Sequence, residues 1–214
     1  MSRKEVKPNI FEVFVFPLKD IVFYPKTSIP LNIFEAKYIR MVKDAMKEGA
    51  PIALCQSPRR KTGETRFMKT IAGMGEPQIL QENEDGSMVI ILKGIAKVAL
   101  LEVVSERPFI RCRAFEIPEQ AEVSPENIFR LHRFRIYFKN WADAHLEDAF
   151  ERSQFLKSLE DDQQLIESLA TFFVDNPGDR QNLLEEDDIN LRIEALSELI
   201  REEPRQSTLQ ISKS

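Results

Sequence analysis

Apolar and polar residues alternate through the first half of the chain in short runs separated by turn formers. FEVFVF (11–16) alternates, which sets Phe14 and Phe16 on one inward strand face. IVFY (21–24) predicts a second strand, and PIALC (51–55) a short buried one. SPRRKTGET (57–65) is a polar loop, and TRFMKTIAGMGEPQIL (65–80) reads as strand, glycine break, strand. QENEDGS (81–87) predicts a hairpin turn, with Asp85-Gly86 suited to positive φ. MVIILKGIAKVALLEVV (88–104) reads as two strands interrupted by a bulge or bend at Gly94. RPFIRCRAFEI (107–117) alternates once more. Many short strands with turns about every ten residues predict a small barrel or a pair of packed sheets.

Residues 16–38, FPLKDIVFYPKTSIPLNIFEAKY, combine dense apolar content with three prolines. Proline removes a backbone donor and fixes φ, so each one ends or displaces a regular element. Pro17 is expected to close the first strand and Pro25 the second, with Pro30 in the loop before a helix. Asn32 and Glu35 have capping-box spacing at that helix's start. Tyr38, Met41, Val42, Ala45 and Met46 recur at helical spacing, and Gly49 is the expected stop. Phe14, Phe16, Phe23 and Phe34 are all assigned to the core.

After Pro118 the alternation ends. Ser124-Pro125 opens a helix whose face carries Ile128, Leu131, Phe134 and Phe138. Further helices are expected over about 146–159, around Leu165 to Phe173, from Asn176-Pro177 to Glu185, and from Ile189 to Pro204. Their one-sided apolar faces predict a bundle. The fold class is thus α+β: a β-rich unit over 1–118 with one inserted helix, a helical bundle over 119–204, and a flexible tail over 205–214.

Charge divides at the same place. Residues 1–118 hold 19 Lys and Arg against 14 Asp and Glu, while residues 119–214 hold 11 against 21. The whole chain of 214 residues has net charge −5, which argues against nucleic acid as the main partner. No apolar run reaches 18 residues, so no membrane span is expected, and the N-terminus lacks a secretory apolar core. The two cysteines, Cys55 and Cys112, sit in β-like runs and are expected to be buried free thiols of a reducing, cytoplasmic compartment.

Catalytic patterns are missing from the sequence. His132 and His145 have no metal-pair spacing, no serine lies in G-x-S-x-G, and no glycine is followed by lysine, which excludes a phosphate loop. Glu160-Asp161-Asp162 and Glu185-Glu186-Asp187-Asp188 lie at expected helix starts, where negative charge meets the positive helix end. No cofactor or metal is therefore expected, nor enzymatic activity. Arg59, Arg60 and Lys61, with Arg66 and Lys69 nearby, form the one local basic patch and are a candidate partner contact.

One resemblance organises these features. Phe16, Pro17, Leu18, Pro25, Pro30, Leu31, Phe34, Glu35, Tyr38, Met41 and Val42 resemble, in order, the opening of the N-terminal domain of Lon-type ATP-dependent proteases. Gly75, Asp85-Gly86 and Gly94-Ile95-Ala96-Lys97 are similar to its later glycine-bearing strands and turn. Leu169-Ala170, Gln181, Leu183-Leu184-Glu185 and Arg192 are similar to its helical part. Ala36-Lys37 departs from the family's usual Pro-Arg. The resemblance implies a PUA-like β domain followed by helices, linked to substrate recognition and protease assembly. Its motif residues are expected to be mainly structural. A Lon protease continues into ATPase and Ser-Lys protease modules, so the resemblance implies the domain and not the protease. The expected role is a non-catalytic module, an adaptor or substrate receptor, that binds unfolded or extended polypeptide or a protein partner such as a protease. A nucleic-acid-binding PUA-like module is the alternative.

Overall fold

The computed structural model describes residues 8–56, 70–119 and 122–202, and the side chains of all but the last two. The basic cluster Arg59, Arg60 and Lys61, the loop around it and the tail from 205 lie outside the described residues. The chain divides into two compact units, Met1–Glu119 and Gln120–Ser214.

The first unit runs β1 (Ile10–Leu18), β2 (Ser28–Ile33), α1 (Ala36–Glu48), β3 (Ile52–Gln56), β4 (Ile71–Glu82), β5 (Met88–Ser105) and β6 (Ile110–Glu116). The strands form one sheet in the order β2-β5-β4-β3-β1-β6, and β5 also pairs with β6. The pairing path from β5 through β4, β3, β1 and β6 therefore returns to β5, with β2 attached outside it. Among the described strands only β1 and β3 pair in parallel, and such a pair needs a long crossover, here containing α1. Phe14 and Phe16 share a face as expected. They pack with Met41, Val42 and Ala45 of α1, while Val13 and Val15 enter a second cluster with Val98, Cys112 and Ala114. The β1 strand is thus buried on both faces, which is why it contains hardly any polar side chain.

The segment between β1 and α1 departs from expectation in four ways. IVFY is not a ladder strand. Val22, Phe23 and Tyr24 are buried, but positive φ at Asp20 and Lys26 turns the chain at both ends. The segment docks onto β5 instead, through Lys26 N–H to Gly94 O (3.0 Å) and Gly94 N–H to Thr27 O (2.8 Å). Pro25 is accordingly buried in a turn rather than closing a strand. Pro30 lies inside β2, opposite Ile91. It is tolerated there because β2 has β5 as its only partner among the described strands, so a missing donor costs no ladder bond on the other side. Asn32 continues β2 opposite Val89 and does not cap α1, which starts at Ala36 after Glu35 with no side-chain cap bond. Strand pairing outcompetes the local capping box.

Other local signals hold. Pro17 is the penultimate residue of β1, and Gly49 ends α1 at φ 63°. The β4–β5 turn has Gly86 at φ 83°, with its N–H bonded to Asn83 O at 3.0 Å. Asp85 accepts from the Ser87 hydroxyl (2.6 Å) and the Ser87 amide (2.9 Å), which holds its carboxyl below the usual range. Both β4 and β5 run straight through their glycines rather than breaking. Gly75 opposes Gly94 and Met74 opposes Ala96, so Ile95 is an extra residue and the expected bulge is real. Both cysteines are free and buried, and burial pushes the Cys112 thiol up. We expect neither thiol of the native chain to react with Ellman's reagent within an hour at pH 8, and both to react at once in denaturant. Rapid native labelling would contradict this packing.

The second unit holds α2 (Pro125–His145), α3 (Ala149–Ser158), α4 (Asp162–Phe173), α5 (Pro177–Glu185) and α6 (Ile189–Glu202). The starts of α2, α5 and α6 fall where expected, while α3 begins at Ala149, about three residues later than expected, and α4 begins at Asp162. Asp148, Asp161 and Asn176 accept from amides two or three residues ahead. The acidic runs thus serve as caps, with Asp188 accepting from Asn190 N–H at the head of α6. Leu131, Phe138, Leu165, Leu169, Phe173 and Leu196 are buried apolar residues of this unit, with the Phe138 and Phe173 rings 5.1 Å apart.

Candidate functional site

Most motif residues of the opening stretch build the core. The Phe16 ring lies 4.2 Å from that of Tyr38, and Leu18 and Leu31 pack on the same cluster. Pro17 pairs with Cys55, and Gly94 contacts the backbone at Tyr24. Pro30 and Glu35 are exposed, and so is Phe34. Expected in the core, it is 76% exposed. The reason is the period of two: Ile33 ends β2 pointing inward, so the next side chain points outward before α1 begins.

Phe34 does not stand alone. Ile33 opposes Met88, which opposes Glu82, so the β2–α1 junction and the β4–β5 turn share one end of the sheet. At that end Leu80 is 56% exposed, because the register slips between Ile79 and Gln81 and leaves it as an unpaired extra residue. The adjacent apolar pair Ile79-Leu80 was the sequence signal for this bulge. Beside Phe34, Glu35 and Lys37 pair at 3.2 Å, and the Lys37 ammonium sits 4.5 Å from the Tyr38 ring centre. The Glu35 carboxylate, hydrogen-bonded to Lys37, raises the lysine pKa. Lys43 of α1 reaches Glu82 of β4 at 3.5 Å and ties the helix to this end. The result is an end of the sheet that exposes one aromatic and one aliphatic side chain and carries two surface ion pairs. It can hold an apolar side chain and hydrogen-bond a backbone, but it contains no nucleophile with an adjacent base.

His132 is exposed, and His145 is exposed and stacks on Trp141 with ring centres 4.9 Å apart. Among the described residues no cluster of three or more His, Cys, Asp or Glu has metal-holding geometry. None of the described helices is long and apolar enough to cross a membrane. In the helical unit Leu169, Ala170, Gln181, Leu183, Leu184 and Arg192 are buried, and Gln181 donates to Glu185 at 2.9 Å. Arg192, 1% exposed, pairs at 2.8 Å with Glu167, itself fully buried. Glu167 was not singled out in the sequence, although a carboxylate within the apolar run of α4 is the signal of a buried cation nearby.

The chain spans about a quarter of the length of the curated relatives it resembles. It is 23% identical over 197 residues to a Lon protease of Xanthomonas oryzae, covering 91% of this chain and 23% of the relative. It is 26% identical over 198 residues to the Lon protease of Escherichia coli, covering 90% and 25%. Two solved structures share the fold. The Lon N-terminal domain protein from Xanthomonas campestris superposes with a TM-score of 0.64 at 20% identity, over 91% of this chain and 99% of that one. The N-terminal domain of a Mycobacterium avium complex Lon protease gives 0.68 at 15% identity, over 91% and 100%. The family model for the ATP-dependent protease La (Lon) substrate-binding domain matches residues 12–202, and the chain belongs to that family.

Proposed function

We infer that this chain is a non-catalytic polypeptide-recognition module, a substrate receptor or adaptor that takes unfolded or extended protein segments. The match to a substrate-binding domain over residues 12–202 carries this reading. The exposed Phe34 next to the Glu35–Lys37 pair, with Leu80 exposed at the same end of the sheet, supports it with apolar surface open to a partner. In this reading the β unit is a small PUA-like barrel closed by the β5–β6 pairing, and the five described helices of the second unit form a bundle. The motif residues Phe16, Pro17, Leu18, Pro25, Pro30, Leu31, Tyr38 and Gly94 act structurally, holding α1 and the turn in place. The buried free thiols support a reducing compartment such as the cytoplasm. An ATP-dependent protease is a partner of the kind such a receptor would serve.

The test is titration of the full chain with a permanently unfolded polypeptide, such as reduced, carboxymethylated lactalbumin. We expect saturable binding with Kd below about 100 μM, the range of weak but specific recognition. Phe34→Ser should weaken it about tenfold, equivalent to about 1.4 kcal/mol, with thermal unfolding unchanged. Absence of binding, or indifference to Phe34→Ser, would reject the site.

A further inference from the structure

We propose that the groove between α5 and α6 is a docking site for a basic amphipathic helix of a partner protein. It is distinct from the Phe34 surface. The groove has a volume of about 330 Å³, at the low end for ligand pockets, which suits a few apolar side chains rather than a cofactor. Leu183 of α5 is buried in its floor. Leu191, Ala195 and Leu199 follow at four-residue steps along α6 and line the rest. This stripe advances eight residues, or about 12 Å, two turns of a facing helix. Leu191 is 52% exposed, while the small Ala195 between the leucines leaves room for a partner's side chain.

The charges on the rim choose the partner. Asp179, Glu186 and Glu198 line the groove, and among the described residues no lysine or arginine does. Asp179 and Glu198 form no ion pair among the described residues. The surrounding region strengthens the bias, since residues 119–214 carry 21 Asp and Glu against 11 Lys and Arg. An apolar floor two turns long between acidic walls fits a helix with leucines at i, i+3 or i+4, and i+7, flanked by Lys or Arg. Like charge repels an acidic helix of the same shape.

The probe is a fluorescein-labelled helical peptide with three leucines at that spacing and four flanking lysines, titrated with the full chain. We expect saturable anisotropy that weakens at least fivefold between 50 and 300 mM NaCl. Leu191→Ser and Glu198→Lys, both at exposed positions, should each weaken it about tenfold, and a glutamate-flanked peptide should bind only Glu198→Lys measurably. Phe34→Ser should leave this binding unchanged, so failure here and failure of the polypeptide-binding surface are separable. Absent saturation, or unchanged wild-type affinity in Leu191→Ser and Glu198→Lys, would overturn the proposal. So would a concentration-dependent dimer abolished by Leu191→Ser in sedimentation velocity, which would give the groove to a second copy of this chain.

Discussion

Replacing Arg192 with leucine should lower the stability of the helical unit by about 3–5 kcal/mol, the usual cost of leaving one half of a buried ion pair without its partner. Arg192 is among the largest fully buried side chains, and one of its nitrogens lies 2.8 Å from Glu167 of α4. Another donates to the Glu186 carbonyl at 2.7 Å, just before α6 begins. One guanidinium therefore joins α6 to α4 and to the α5–α6 connection. Leucine takes the cation away from the buried Glu167 carboxylate and this donor away from the Glu186 carbonyl. Leucine at Arg192 combined with methionine at Glu167 should recover most of the loss, because a well-packed apolar pair is often as stable as the ionic one. The chain has a single tryptophan, Trp141 of α2, packed 6.2 Å from Phe173 of α4. Its fluorescence during urea unfolding reads this unit specifically. A loss below 1 kcal/mol for the single substitution would show that the pair is not structurally required.

What the sequence disclosed and what it hid follow from the range of the interactions. Ser124-Pro125, Asn176-Pro177, Asp161 and Gly49 mark helix ends through bonds within three or four residues, and all were legible. The β4–β5 turn was legible for the same reason, through Asn83, Asp85 and Gly86. Residues 21–36 were misread because their partners are distant. Asn32 pairs with Val89, and Lys26 and Thr27 bond Gly94. No local rule weighs a capping box against a strand some sixty residues away. That single boundary error also hid Phe34, since a helix starting at Asn32 turns it inward and a strand ending at Ile33 turns it outward. Arg192 was visible through the family resemblance, whereas its partner Glu167 required the packing of α4 against α6.

The second large effect is expected at Gly73, where alanine should destabilise the β unit by about 3 kcal/mol. A Cβ built on Gly73 would lie 1.9 Å from the Phe23 carbonyl oxygen and 2.7 Å from its carbon. Both are backbone atoms, so no rotamer change relieves the clash, and overpacking of this kind costs 1–3 kcal/mol or more. Gly94 presents the same constraint from β5, with its Cβ position 2.4 Å from the Tyr24 carbonyl oxygen. The two glycines let the IVFY segment lie directly on the sheet. Its buried Val22, Phe23 and Tyr24 are held there without strand pairing of their own. The control is Gly49→Ala, where a side chain meets nothing within 4 Å and only the positive φ is penalised, at about 1 kcal/mol. Cys55 and Cys112 both lie in this unit and report its opening. If labelling proceeds through unfolding, 3 kcal/mol raises the native labelling rate on the order of a hundredfold, against about fivefold for the control. Equal rates in Gly73→Ala and Gly49→Ala would mean that the segment can lift off the sheet at little cost. The apolar residues of FPLKDIVFYPKTSIPLNIFEAKY would then not be held against β4 and β5 as the geometry requires. A large difference would tie the prolines, the glycines and the outward turn of Phe34 into one mechanical unit, in which the covering segment fixes the path of the chain that presents the Phe34 ring.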